Sequence, residues 1–209
     1  MVNPFHSLYY RWFFLHKNAF AHAVTRLFHP AVRSQGEWDE QYRCGEWNRL
    51  MATSERPHNA VLLSYVDLRQ KPAILEIGCG PGILLPQLKA SGYRKYVGVD
   101  ISSIAIQSCM RHADHITTFL SADAGEYKPD FSPDVMIFNE SIYYFPDPAE
   151  TLRRYLSDLS ADGIAVISMV INPKTSAVIR RIRRDFPVLH QTSVTNEYTW
   201  MIVVIGKPQ

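Results

Sequence analysis

Two periods of apolar residues alternate along the chain. Ile74–Ile77, Tyr96–Asp100, Ile116–Leu120, Asp134–Asn139 and Ile164–Val170 are short, almost unbroken apolar runs. Runs of that length fit strands of a parallel sheet buried on both faces. Between and beyond them lie segments of helical spacing: Pro57–Leu68, Pro81 to about Gly92, Ser102–Arg111, Ala149–Leu159 and Pro173–Arg184. Strand–helix alternation of this kind predicts an α/β fold with a mostly parallel, doubly wound sheet. Near the end, Val188–Val194 and Thr199–Ile205 predict a closing antiparallel pair. Internal repeats and low-complexity tracts are missing from the sequence.

Length and composition narrow the picture. A chain of 209 residues, 46% hydrophobic, can bury one substantial core but not comfortably two. Residues 1–70 are expected to form a helical N-terminal cap or lid, and residues 71–209 the α/β domain. The net charge of +2 offers no field that would select nucleic acid. Cys44, Cys79 and Cys109 are odd in number and lack metal-ligand spacing. They fit free thiols in a reducing, cytoplasmic setting, with no metal.

The first 36 residues contain no Asp or Glu, while Arg11, Lys17, Arg26 and Arg33 recur among aromatics. Phe5, Leu8, Trp12, Leu15, Ala19, Ala23 and Leu27 fall near helical spacing, giving one apolar face. Charges interrupt every long apolar run, which excludes a spanning helix. Two uses remain: a cap packed on the domain or on a second subunit, and a basic aromatic helix lying on a membrane surface.

Candidate chemistry begins at Glu76-Ile77-Gly78-Cys79-Gly80-Pro81-Gly82. A strand ending in an acid runs into three alternating glycines, and glycine lets a ligand lie against the backbone. A dinucleotide fingerprint would need glycine at position 83, which is Ile83, so nicotinamide-dependent oxidoreduction is disfavoured. Pro81 is expected in the first turn of the following helix. Asp100 ends the next strand at the separation that brings an acid onto a ribose in doubly wound folds. Its plainer use, capping the next helix, is already served by Ser102 or Ser103.

The E-x-G-x-G-x-G pattern of Glu76, Gly78, Gly80 and Gly82, with Asp100 downstream, resembles motif I and the ribose acid of class I S-adenosylmethionine-dependent methyltransferases. The resemblance covers about Lys71–Gly206 and implies seven strands, the last pair antiparallel. It implies S-adenosylmethionine as cofactor and S-adenosylhomocysteine as product. It places Glu76, Gly78, Cys79, Gly80 and Gly82 on the cofactor, Asp100 on the ribose, Ile101 against the adenine, and Asp123-Ala124 at the adenine amino group. Trp38, Tyr42 and Trp47 resemble a W-D-x-x-Y-x-x-G-x-W stretch that closes over the ligand in one group of small bacterial enzymes. Such aromatics serve equally as a lid or as plain core. Asn139-Glu140-Ser141-Ile142-Tyr143-Tyr144 resembles the N-E-x-x-Y-Y element of the same group.

On that basis Asn139 is expected at the cofactor, and Glu140, Tyr143, Tyr144 and Tyr42 are the candidate catalytic side chains. The N-P-P-[YF] element of base-methylating enzymes is absent. The expected activity is methyl transfer to oxygen or nitrogen of a small molecule, a secondary metabolite or glycan unit. Two alternatives stay open: intramolecular attack releasing methylthioadenosine, and a non-catalytic module that docks a partner or membrane through its N-terminal helix.

Overall fold

The computed structural model describes residues 34–207. The expectations for the N-terminal helix, as homodimer contact, cap or membrane anchor, lie outside the described residues. Numbered from the first described element, the order is α1 (Gln35–Arg43), α2 (Arg56–Asp67), β1 (Ala73–Ile77), α3 (Leu85–Ser91) and β2 (Lys95–Asp100). Then follow α4 (Ser103–Cys109), β3 (Thr117–Ser121), β4 (Val135–Asn139), α5 (Pro148–Asp158), β5 (Ile164–Val170), α6 (Pro173–Asp185), β6 (Val188–Thr195) and β7 (Thr199–Gly206).

The seven strands form one sheet in the order β3-β2-β1-β4-β5-β7-β6. All pairings are parallel except β5 with β7 and β6 with β7. This is the doubly wound sheet with a closing antiparallel pair that the periodicity predicts. Order reverses between β1 and β4, and the crevice beyond their carboxyl ends is where such folds bind ligands.

Two apolar cores flank the sheet. On one face Leu62, Leu63 and Val66 of α2 pack with Ile74, Tyr96, Ile137, Val166 and Trp200. On the other, Leu152, Tyr155 and Leu156 of α5 and Ile179 and Ile182 of α6 pack on Leu75, Met136 and Ile167. Alternate residues of each strand thus feed opposite cores, which explains the unbroken apolar runs. Helix starts follow local chemistry: Ser34, Ser102, Asp147 and Asn172 cap α1, α4, α5 and α6 through side-chain oxygens that accept backbone N–H groups.

One expected boundary is corrected. The helix after the glycine turn starts at Leu85, and Pro81 stands in the turn before it. Gly82 has φ +75°, a left-handed conformation that no α-helix contains, so the first helical turn must wait until the loop has passed it. Pro86 then takes the early-helix place assigned to Pro81.

Leu62 is wholly buried between α2 and the sheet. Leu62→Ala is expected to destabilise the protein by about 2–5 kcal/mol. Urea denaturation would show a lower midpoint at unchanged slope.

Candidate functional site

A cavity of about 280 Å³ opens beyond the carboxyl ends of β1, β2 and β4, just under the usual size of small-molecule sites. Its walls contain every predicted site residue except Gly82: Glu76, Gly78, Cys79, Gly80, Asp100, Ile101, Asp123, Ala124, Asn139, Glu140, Tyr143, Tyr144, Trp38, Tyr42 and Trp47. A Cβ on Gly82 would instead meet Cys109 Cβ at 3.1 Å and the Phe119 ring, so Gly82 packs the loop onto α4 and β3.

The glycine turn is shaped by what surrounds it. Gly78 has φ +74°, and a Cβ there would lie 2.5 Å from Ser141 Cβ. Ser141 cannot easily retreat, because its hydroxyl donates to the Ile77 carbonyl at 2.6 Å and so ties the end of β1 to the segment after β4. Gly80 donates its N–H to Asp100 Oδ2 at 2.8 Å, and Ser102 N–H donates to Asp100 Oδ1 at 2.9 Å. Both carboxylate oxygens of Asp100 are thereby oriented from below, each keeping lone-pair capacity for a ligand. Burial raises the Asp100 carboxyl to about 6, against the pull of those two N–H groups.

Glu76 lies deeper. Its carboxylate accepts from the Tyr96 hydroxyl at 2.6 Å, and burial raises it to about 8, the nearby Asp100 adding to the effect. At neutral pH it is held largely as the acid. Cys79 borders the cavity, and its thiol lies toward β2, 2.9 Å from where a Cβ on Gly98 would be.

On the adenine side of the expected arrangement, Asp123 Oδ1 accepts from Gly125 N–H at 2.7 Å and so shapes the local turn. Its residue still borders the cavity. The Ala124 carbonyl accepts from the hydroxyl of Tyr155 at 2.7 Å and from Arg154, which pins this loop to α5.

Aromatic residues cover the opposite side. Trp38 stands edge-on to Tyr144 at 4.9 Å and 5.5 Å from Trp47, and Tyr42 lies 6.0 Å from Trp47. Tyr143 and Tyr144 are 4.5 Å apart. The Tyr42 hydroxyl reaches the glycine turn, 2.9 Å from where a Gly80 Cβ would be. Burial, reinforced by the charge of Asp100, pushes that phenol well above its ordinary value, so it is a neutral donor. Asp39, the acid of the W-D-x-x-Y-x-x-G-x-W stretch, fastens this cover. It accepts from the hydroxyls of Ser102 at 2.6 Å and Ser103 at 3.0 Å and from Ile104 N–H at 3.2 Å, joining α1 to the start of α4 beside Asp100. The motif marks the acid, but its partners at the start of α4 are 63 to 65 residues away and are set only by the fold.

Glu140 has φ +55°, a strained backbone for a residue with a side chain. Its Oε2 accepts from the Tyr143 hydroxyl at 2.9 Å, while its buried Oε1 has no hydrogen-bond partner. Burial raises the carboxyl to about 7, opposed by the Tyr143 bond. Arg49, Leu50, Asn59, Ser141 and Phe145 also line the cavity and were missed, since nothing in their local sequence distinguishes them.

With this geometry in place, comparison with known proteins is decisive. Residues 41–200, more than half of the chain, match the family described as "Methyltransferase domain". The chain belongs to the methyltransferase-domain family. The resemblance to class I S-adenosylmethionine-dependent methyltransferases drawn from the glycine and acid motifs is thus borne out. This methyltransferase domain is 28% identical over 132 residues to a trans-aconitate 2-methyltransferase of Methylobacterium radiotolerans, covering 61% of the chain and 50% of the relative. To the enzyme of the same name from Enterobacter sp. it is 31% identical over 134 residues, covering 61% and 52%. The chain therefore spans about half the length of the curated relatives it matches. Among solved structures, the N-methyltransferase NodS of Bradyrhizobium japonicum WM9, in complex with S-adenosylhomocysteine, superposes with a TM-score of 0.65 at 16% identity, over 78% of this chain and 92% of that one. A 1,6-didemethyltoxoflavin-N1-methyltransferase of Burkholderia thailandensis gives 0.66 at 16% identity, over 84% and 87%. At such identity these two show the fold. Among the described residues no helix is long and apolar enough to cross a membrane.

The raised acids set a pH dependence. Glu76 at about 8 and Glu140 at about 7 bind protons in the folded state where the unfolded chain, with ordinary values, is ionised. Protons therefore favour folding in this range, and stability of the ligand-free protein is expected to rise as pH falls from 9 to 7. Melting temperatures across that interval should show the rise, and Glu76→Gln should remove most of it.

Proposed function

We propose that this protein is an S-adenosylmethionine-dependent methyltransferase acting on a nitrogen or oxygen of a small molecule. The observation that carries the reading is the meeting, on one cavity, of the glycine turn, the backbone-oriented Asp100 and a wall of tyrosine and tryptophan. The residues fit the cofactor: a carboxylate with free lone pairs for the ribose hydroxyls, a turn whose Gly78 and Gly80 leave no room for side chains, and aromatic faces suited to a cation.

When bound, S-adenosylmethionine supplies a methyl group already activated by its positive sulfur. The protein's own task is alignment and exclusion of water. Asp100 accepts from the ribose hydroxyls, with its oxygens held by Gly80 and Ser102 N–H groups. Ile101 and Ala124 offer apolar contact to the base, and Asp123 a carboxylate for its amino group. Trp38, Tyr42, Trp47 and Tyr144 keep water from the transfer path. Glu140 receives the proton of the acceptor through Oε1, Tyr143 holding its other oxygen in place. A carboxyl near 7 is well matched to that role at neutral pH.

Calorimetric titration with S-adenosylhomocysteine tests the cofactor half. Asp100→Ala should weaken binding by about 100-fold, the loss of two charge-assisted hydrogen bonds. Asp100→Asn, which keeps the shape, should still lose about tenfold. Wild-type affinity should fall as pH drops through about 6, where Asp100 takes up a proton. Unchanged affinity in both variants would overturn the assignment. Mass spectrometry of the protein with S-adenosylmethionine alone should show the cofactor intact. Methylthioadenosine in that sample would replace transfer by intramolecular attack.

A further inference from the structure

Among the described residues, five buried side-chain polar atoms have no hydrogen-bond partner: His58 Nδ1 and Nε2, Asn139 Oδ1, Glu140 Oε1 and Ser168 Oγ. They are not scattered. Asn139 and Ser168 are register partners at the carboxyl ends of β4 and β5, so their side chains leave the sheet on the same face. Glu140 follows Asn139 and donates its N–H to the Ser168 carbonyl at 3.0 Å. From α2, His58 lies against the Asn139 side chain, near enough to favour its protonation but outside hydrogen-bond geometry. The adjacent Asn59 accepts from Asn139 Nδ2 at 2.9 Å. Asn59, Asn139 and Glu140 border the cavity, so the cluster continues from its wall inward.

Native proteins leave few buried polar atoms bare, and a group of them in one place marks a missing partner. We propose that His58, Asn139 and Ser168 form a polar cluster directly behind the cavity wall made by Asn139 and Glu140, whose unmade bonds are completed by an uncharged donor–acceptor group of the methyl acceptor, a hydroxyl or a carboxamide. The inference rests on the methyltransferase reading of the cavity.

The inventory of atoms selects that chemistry. Burial holds His58 neutral, down to about 4, so its ring presents one N–H and one acceptor nitrogen. Ser168 adds a hydroxyl that both donates and accepts, and Asn139 Oδ1 accepts only. An ammonium, all donor, would face the imidazole N–H. A carboxylate, all acceptor, would face Asn139 Oδ1 and stand near the buried acids Glu55, 3.8 Å from His58, and Glu140. A hydroxyl or primary amide carries both functions and satisfies the set. The ring of His58 also stacks on Trp200 at 4.6 Å and 13°, which a phenyl ring would do as well. Packing alone therefore gives no reason for the two nitrogens.

The test uses the whole protein saturated with S-adenosylhomocysteine and four probes on one aromatic ring: phenol, benzamide, benzoate and benzylamine. Saturation-transfer NMR titrations should show phenol and benzamide binding about tenfold more tightly than benzoate and benzylamine, the worth of one well-made hydrogen bond. Ser168→Ala and His58→Phe should each abolish that preference while leaving S-adenosylhomocysteine affinity unchanged. Both variants should also melt a few degrees higher, because a bare polar atom is replaced by an apolar one. A wild-type protein that prefers benzoate or benzylamine overturns the proposal. So does a preference that survives in both variants, the result expected if the cluster takes no part in binding. Should His58→Phe fail to fold, Ser168→Ala decides alone. Failure of S-adenosylhomocysteine itself to bind would instead overturn the methyltransferase reading.

Discussion

The carboxylate of Asp100, gripped by the N–H groups of Gly80 and Ser102, is the constraint on which the site depends. Two loops that leave different strands meet on one side chain. The glycine turn after β1 and the entry to α4 after β2 cannot shift without giving up a charge-assisted bond in a buried setting, where such bonds are strong. The grip extends outward through Asp39, which accepts from Ser102, Ser103 and Ile104 and so carries α1, with its tryptophan and tyrosine, onto the same junction. Tyr42 then returns to Gly80. Cover, turn and acid form one closed circuit of contacts.

Burial of acids follows from the same arrangement. Parallel strands point their carboxyl ends into a crevice walled by two apolar cores, and whatever polar residue ends a strand is partly desolvated. Glu76, Asp100 and Glu140 all carry raised values for that first reason, and they differ through their partners. Asp100 has two backbone donors and is raised least. Glu76 has one phenol and a neighbouring acid and is raised most. Three buried acids thereby differ in how readily each gives up its proton near neutral pH.

Much of this was legible in the chain. Apolar runs without alternation announced strands buried on both faces. Ser102 or Ser103 before helical spacing marked the start of α4. The glycine–acid spacing pointed to the family, and fifteen of the sixteen named site residues border one cavity. Gly82 is the exception. Its spacing looked like that of its neighbours, but it lies where the loop packs on Cys109 of α4 and Phe119 of β3, and its positive φ delays the helix past Pro81. Which neighbour a glycine packs against is set by segments distant in the chain, Cys109 and Phe119 here, and spacing does not reveal it.

What the sequence determined by itself were features set by neighbours along the chain: period, caps, turns, and the acids near the ends of β1 and β2. These depend on local sterics and on which face an alternate residue takes. Only the tertiary structure decided features made between distant segments. Among these are the seating of Trp38, Tyr42 and Trp47 over the cavity and the strain at Glu140. The placing of His58 of α2 against Asn139 of β4, with Ser168 beside it on β5, is another. Each is settled by packing across the sheet, where the partner of a polar atom is chosen by shape and not by sequence distance. For the cluster around Asn139, that packing leaves the final partner to come from outside the chain.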